Sequence, residues 1–300
     1  MASTVAESRP PLRRQTARGA EFVERMRRGF RYHNAGSMRY LEYRPGLPVA
    51  HYVHCLWLLE GESAPAQVIS PDGRMELILH YGDRFREETG LQPRGIVAGQ
   101  RWRYLRVEAT GRVGLVGARF HPWGSNALLR DEAWEWAGSI VDAPVPSWWI
   151  ERIAEAPSDE ARLRVFESLL AGRLRPAQAP AAVVEAVRLL RAGARVAGAA
   201  ERVEVSERTL ERLFRNWVGI APKRFERVAR FQRLLRRLRS APERWAAVAA
   251  DIGYYDQPHL IREFQELAGC APSEYAGSSR HLNDWIVGFF QDGEAANAGG

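Results

Sequence analysis

Hydrophobic and polar positions change rhythm twice along this chain. From Met38 to about Pro122, apolar residues come in short runs rich in aromatic and branched side chains, punctuated by Gly, Pro and Asp. That pattern predicts antiparallel strands, most clearly over His51 to Leu59, Arg74 to His80, Trp102 to Val107 and Val113 to Phe120. Pro71-Asp72-Gly73 reads as a turn, because Pro fixes φ and Gly accepts φ > 0. His51 and His54, three apart on the first run, are expected on opposite faces of the sheet. Gly114 and Gly117 fall inside a strand and suggest close backbone approach or bulges. Ser125 to Arg130, Ala133 to Ala137 and Glu160 to Ala171 predict helices covering the sheet. Beyond Pro180 the spacing settles at three and four residues, which predicts helices.

Within that helical region a single unit occurs twice. Leu210, Arg212, Phe214, Gly219 and Pro222 return 50 residues later as Leu260, Arg262, Phe264, Gly269 and Pro272. Each copy begins with small residues, such as Ala200 and Ala249, that let a second helix cross closely. A turn and a polar N-cap follow, Ser206 or Asp256, whose side-chain oxygen can accept from the free N–H groups of the next helix. In that helix Leu210, Leu213, Phe214 and Trp217 should bury, leaving Arg208, Glu211, Arg212 and Arg215 on the opposite stripe. This is the grammar of a helix-turn-helix, whose outer stripe enters the major groove. Between the copies Pro222 starts a helix to about Ser240. At about 1.5 Å per residue it is roughly 28 Å long, which suits two recognition helices in successive grooves. A further helix, Ala181 to Arg191, opens this region and stops at Gly193.

The doubled unit resembles the DNA-binding domain of the AraC/XylS family of bacterial transcription regulators. Gly-Ile-Ala-Pro-Lys-Arg-Phe225 and Gly-Cys-Ala-Pro-Ser-Glu-Tyr275 match the family's habit of closing each recognition helix with Gly, Pro and an aromatic. Glu204 departs from it, standing where the family usually has Gly, so the backbone there must avoid or strain into a left-handed conformation. The N-terminal region looks more loosely like domains attached to many such regulators: Tyr43-Arg-Pro, Tyr52 to Trp57, Ser70-Pro-Asp-Gly73, Gly117 to Phe120 and His121-Pro-Trp-Gly124. The resemblance implies a sensor or dimerisation module, promoter DNA and RNA polymerase as partners, and a second copy of the chain as a potential one.

The expected fold class is therefore α+β multidomain: an N-terminal antiparallel β-rich sensor and a C-terminal all-α domain with two helix-turn-helix units joined by a long helix. Expected boundaries are a disordered basic tail (1–36), the sensor (37–175), the DNA-binding domain (176–280) and a C-terminal tail (281–300). Around Ala20 to Tyr32 of the basic tail a helix is conceivable. In DNA recognition, Arg208, Glu211, Arg212, Gln257 and Arg262 are the base-contact candidates. Ser206, Arg215, Lys223, Arg224 and Arg227 are the phosphate candidates.

Charge adds an asymmetry. The net charge is +7, yet 42 of the 43 basic residues are Arg, a bias that points to base composition of the gene. Between Arg173 and Ser240 stand 17 basic and 6 acidic residues; from Ala241 to Gly300 stand 3 and 9. The first copy should therefore carry most salt-dependent binding. No apolar run approaches the roughly 18 residues of a membrane helix, and no signal-peptide core opens the chain, so a cytoplasmic, nucleoid-associated protein is expected.

Catalytic and metal chemistry find little support. Cys55 and Cys270 form no ligand motif, and although His51, His54, Cys55, His80 and His121 could converge on zinc, partly buried structural histidines are the plainer expectation. No cofactor or metal is expected. Seven of the ten Trp residues fall between Trp57 and Trp149. Ordinary core packing accounts for most, while Trp57, Trp123 and His121 are the candidates for binding an unknown small-molecule effector. Two rivals stand beside the regulator: a DNA-binding domain fused to an alkyl-transfer repair module using Cys55, and a nonspecific architectural protein.

Overall fold

The computed structural model describes residues 30–35, 38–62, 66–129, 133–240 and 245–276. Its N-terminal region is built on strands β1 (Phe30–Ala35), β2 (Met38–Tyr43), β3 (Val53–Gly61), β4 (Gln67–Ile69), β5 (Glu76–His80), β6 (Phe85–Glu87), β7 (Gly90–Leu91), β8 (Gly95–Ala98), β9 (Leu105–Ala109), β10 (Val113–Phe120) and β11 (Ile140–Asp142). A seven-stranded sheet runs β1-β2-β3-β10-β5-β8-β11, and a four-stranded sheet runs β4-β9-β6-β7. The pairs are antiparallel, as the alternation requires.

Successive side chains of a strand point to opposite faces, and β3 divides its residues accordingly. Leu56 and Leu58 join a core shared with Trp149, Ile153, Leu163 and Phe166. Those residues lie on two helices laid against the large sheet, α1 (Trp148–Ala154) and α2 (Asp159–Ala171). Cys55, Trp57 and Leu59 face the other way, toward Phe85, Leu105 and Val107 of the small sheet. The eight residues of β10 are all buried, because that strand is covered on both faces. Gly117 sits opposite Trp57 in this pairing, and a Cβ there would collide with the indole. The strand glycine is thus a close approach.

Several expectations are corrected in detail. His51 belongs to a 3-10 turn (Val49–His51), so the first strand begins at Val53 and the two histidines are not strand neighbours. Residues 102–104 lie outside a strand; β9 starts at Leu105. Ser125–Ala127 and Ala133–Trp136 form single 3-10 turns where helices are expected, being too short to hold an α-helix without packing on a long apolar face. The basic tail ends earlier than Gly36, since Phe30–Ala35 pairs with β2 and Phe30 is buried. Residues 30–32 are therefore strand; the rest of the conceivable helix from Ala20, and the 281–300 tail, lie outside the described residues.

The C-terminal region comprises α3 (Ala181–Ala192), α4 (Val196–Arg202), α5 (Glu207–Trp217), α6 (Pro222–Ser240), α7 (Trp245–Ile252), α8 (Gln257–Ala268) and α9 (Pro272–Ala276). The first copy is α4-α5 and the second α7-α8. Ser206 accepts from Thr209 N at 3.1 Å and Asp256 from His259 N at 2.7 Å, so both N-caps form. Gly219 and Gly269 adopt φ of 91° and 75° after the recognition helices. In the turns, Gly253 has φ 86° while Glu204 is held at φ 56°, the one non-glycine with positive φ among the described residues. Strain at Glu204 is thus the outcome of the missing glycine.

Each copy buries its own core against α6. Leu210, Phe214 and Phe225 lie in the first core; Phe231, Leu260 and Phe264 lie in the second. Buried carboxylates tie the elements together. Glu226 of α6 accepts from the Val196 N–H at the start of α4 (3.2 Å) and pairs with Lys223 and Arg195. Glu263 of α8 receives Arg230 at 2.6 Å and Arg227 at 2.9 Å.

The helical region is docked on the β-rich one. Gln232, near the middle of α6, donates its amide to the Pro71 carbonyl at 2.7 Å, and Asn126 donates to the Asn216 carbonyl at 3.0 Å. The turn at Pro71-Asp72-Gly73 forms as expected: Gly73 has φ 75°, and Asp72 accepts from Arg74 N at 3.0 Å.

Candidate nucleic-acid interface and ligand cavity

Helix α5 presents the outer stripe that its periodicity requires. Leu210 and Phe214 are buried and Leu213 and Trp217 half-buried, which turns Arg208, Glu211, Arg212 and Arg215 to solvent. These four and Thr209 line one shallow surface groove. In α8, Gln257 and Arg262 are exposed, while Glu263 is turned inward onto α6. Burial alone would raise the Glu263 carboxyl; hydrogen bonds and charge from Arg230 and Arg227 outweigh it and hold it below the ordinary carboxylate value.

The phosphate candidates are differently placed. Ser206 spends its hydroxyl as the N-cap of α5. Lys223 lies 3.2 Å from Glu226, and Arg227 bonds Glu263 and Glu266. Arg215 stacks on Trp134 at 4.3 Å, and Arg224 on Trp102 at 4.2 Å. Both tryptophans belong to the β-rich region. The stacking gives each guanidinium an aromatic face, an attraction worth about 0.5–2 kcal/mol depending on exposure.

The effector candidates separate. His121 stacks on Trp123 with ring centroids 5.3 Å apart, and His54 meets His121 edge-on at 5.6 Å. Trp123 packs against the core of the first helix-turn-helix. Burial, with the charge of Arg74, presses the His121 ring down to about 4, so it is neutral near pH 7. Trp57 lies elsewhere, between the two sheets. His80 is also on that inner face, beside Phe85, and is pushed down to about 4 by burial. The histidines are thus split across the large sheet, and among the described residues no group of three His, Cys, Asp or Glu is placed to hold a metal ion.

Trp57 lines a cavity of about 100 Å³ between the sheets. Ile69, Ile78, Phe85, Ile96, Leu105 and Leu115 give it an apolar body. Its charged groups are Asp72, Arg74, Glu76, Arg101 and Arg119. Arg119, fully enclosed, bonds Glu76 and lies 3.5 Å from Asp72. Burial opposes its charge, and the two carboxylates more than restore it, holding the guanidinium protonated. A second hollow of about 350 Å³ shares Arg101, Leu105 and Ile140 with the first and opens outward past Tyr104 and Gly138. Sequence periodicity offered no signal for Arg101 or Arg119: one lies in a loop, and the other is a charged residue inside a core strand.

Comparison with known proteins follows the same division. A helix-turn-helix domain model matches residues 199–278, and a model for a domain of unknown function matches residues 41–142. A search of curated proteins gives no match. Among solved structures, ToxT from Vibrio cholerae at 1.65 Å resolution is similar with a TM-score of 0.44 and 9% identity, over 74% of this chain and 97% of that one. Unsaturated fatty acid-bound wild-type ToxT from Vibrio cholerae gives 0.41 and 8%, over 81% and 96%. The C-terminal region of this chain belongs to the helix-turn-helix domain family, and it follows a domain of unknown function.

Proposed function

We propose that the chain is a one-component transcription regulator of the AraC type, in which the β-rich domain senses a small molecule and the two helix-turn-helix units read promoter DNA. The observation that carries this reading is the solvent-facing cluster of Arg208, Glu211 and Arg212 on a capped second helix whose opposite face is core. Arg208 and Arg212 are assigned to guanine edges and Glu211 to cytosine; on the second unit Gln257 is assigned to adenine and Arg262 to guanine. Arg215 and Arg224 reach phosphate when their tryptophan stacking is exchanged for DNA. Ser206, Lys223 and Arg227 are assigned to the same backbone contact, the two cations exchanging their carboxylate partners for phosphate. RNA polymerase and a second copy of the chain are the further partners of such a regulator, and the cytoplasm its compartment.

Selection of bound fragments from the source genome, followed by binding at fixed salt, tests the reading. A shared sequence motif bound at least about a thousandfold more tightly than unrelated DNA is expected. Near-equal binding to all fragments would favour an architectural protein instead. An alkyl-transfer reading meets a physical obstacle: Cys55 is wholly buried, and burial pushes its thiol well up, away from the nucleophilic thiolate.

A further inference from the structure

The segment from Arg101 to Leu105 touches three things at once. Arg101 and Leu105 line both the inner cavity and the outer hollow. Trp102 packs against the cores of both helix-turn-helix units and carries Arg224 of α6 on its ring. Tyr104 lies against Gly269, which caps the second recognition helix so closely that a Cβ there would come within 2.9 Å of the tyrosine ring. Five residues thus join the mouth of the cavity to both DNA-reading units.

Arg101 is the group at that mouth without a match. Its Nε is enclosed with no hydrogen-bond partner, and it makes no ion pair among the described residues. Arg119, by contrast, has Glu76 and Asp72. A half-buried guanidinium without a hydrogen-bonded anion is costly, and burial presses its basicity down against the more distant attraction of Glu87 and Glu88. Glu87 and Glu88 line the outer hollow beyond ion-pair distance of it, which disfavours multiply charged anions such as a phosphate dianion. The inner space of about 100 Å³ has an apolar body and is smaller than the roughly 150 Å³ cavity that accepts benzene, so only a few carbons fit.

We propose that this site binds a small monocarboxylate, its short apolar body in the inner cavity and its carboxylate on Arg101, and that Trp102 and Tyr104 pass its occupancy to both helix-turn-helix units. The proposal rests on the regulator reading given above for the second clause only; binding itself does not need DNA. Arg is suited to the task because its planar fork meets a carboxylate with two parallel N–H···O bonds.

The test is calorimetric titration of the full chain with acetate, propionate and butyrate, with their primary amides, and with inorganic phosphate. At least one acid should bind about tenfold or more tightly than its amide, since a charge-assisted pair is lost in the amide. Phosphate should not bind there. Arg101→Gln should weaken the acid by about tenfold and leave the amide unchanged, while Arg101→Lys keeps the preference for the acid. In operator titrations the bound acid should change affinity in the wild type and lose that effect in Trp102→Phe, which keeps an aromatic body. Equal binding of acid and amide, no binding of any acid, or an unchanged Arg101→Gln variant overturns the carboxylate site. Acid binding by a chain that lacks any preferred DNA sequence would leave the site standing and remove the regulator reading.

Discussion

Arg215, on the outer stripe of α5, lies 4.3 Å over the ring of Trp134, a residue of the β-rich domain. The side chain that a recognition helix would offer to DNA phosphate is thereby held against the neighbouring domain, and Arg224 is held on Trp102 in the same manner. Contact with phosphate must compete with both stacks.

Removing one stack should therefore favour DNA. Trp134→Ala is expected to tighten operator binding by about 1 kcal/mol, roughly fivefold, as measured by fluorescence anisotropy at fixed salt. Trp134 is itself 39% exposed, so little core is lost with it. Weaker binding would mean that the tryptophan supports the DNA-binding posture instead of opposing it.

The two units should contribute unequally. With 17 basic and 6 acidic residues from Arg173 to Ser240 against 3 and 9 from Ala241 onward, Arg212→Ala should cost about 1–3 kcal/mol and Arg262→Ala less. Glu263 bears on this, because its charge is spent on Arg227 and Arg230 and not shown to DNA. Equal losses at one salt concentration would refute the asymmetry.

Acid should loosen the second unit through Glu263. Its carboxyl is held below the ordinary 4.5, so the stabilisation it supplies is complete above that value and is lost as pH falls through it toward the lower folded value. Glu263→Gln removes the carboxylate that Arg230 bonds and one of the two that Arg227 bonds, at an expected cost of about 3–5 kcal/mol at pH 7. Thermal unfolding at pH 7 and pH 4 should show the variant losing less on acidification than the wild type.

Strain in the first turn can be relieved. Glu204, at φ 56°, occupies a conformation that costs a non-glycine residue about 1 kcal/mol or more. Glu204→Gly should stabilise by roughly 0.5–1 kcal/mol after the entropy of glycine is deducted, read as a rise in the denaturant midpoint. A fall would show that Glu204 has a contact worth more than its strain.

How much of the fold and the site is legible in the sequence follows from how local each signal is. The helix-turn-helix units can be read because caps, small residues and glycine stops act within a few residues, and the 50-residue recurrence of Leu210, Arg212 and Phe214 repeats every one of them. Strand β10 can be read because both its faces are buried. The two-residue β7 and three-residue β11 exist only because longer neighbours pair with them, so no local pattern marks them. The 3-10 turns at 125–127 and 133–136 carry helical composition without the length to form a helix. Arg101 depends wholly on tertiary closure: a loop arginine becomes a cavity group only when β8, β9 and β11 meet around it.

The hydrogen bond from Gln232 to Pro71 has one more implication. It fixes the middle of a rod whose two reading heads also touch the β-rich domain, the first through Arg215 on Trp134 and the second through Gly269 against Tyr104. A shift of the β-rich domain would then move the two heads relative to each other. Its effect on promoter choice would appear as a changed preference for the spacing between the two half-sites, with little change in how well either half-site is bound alone.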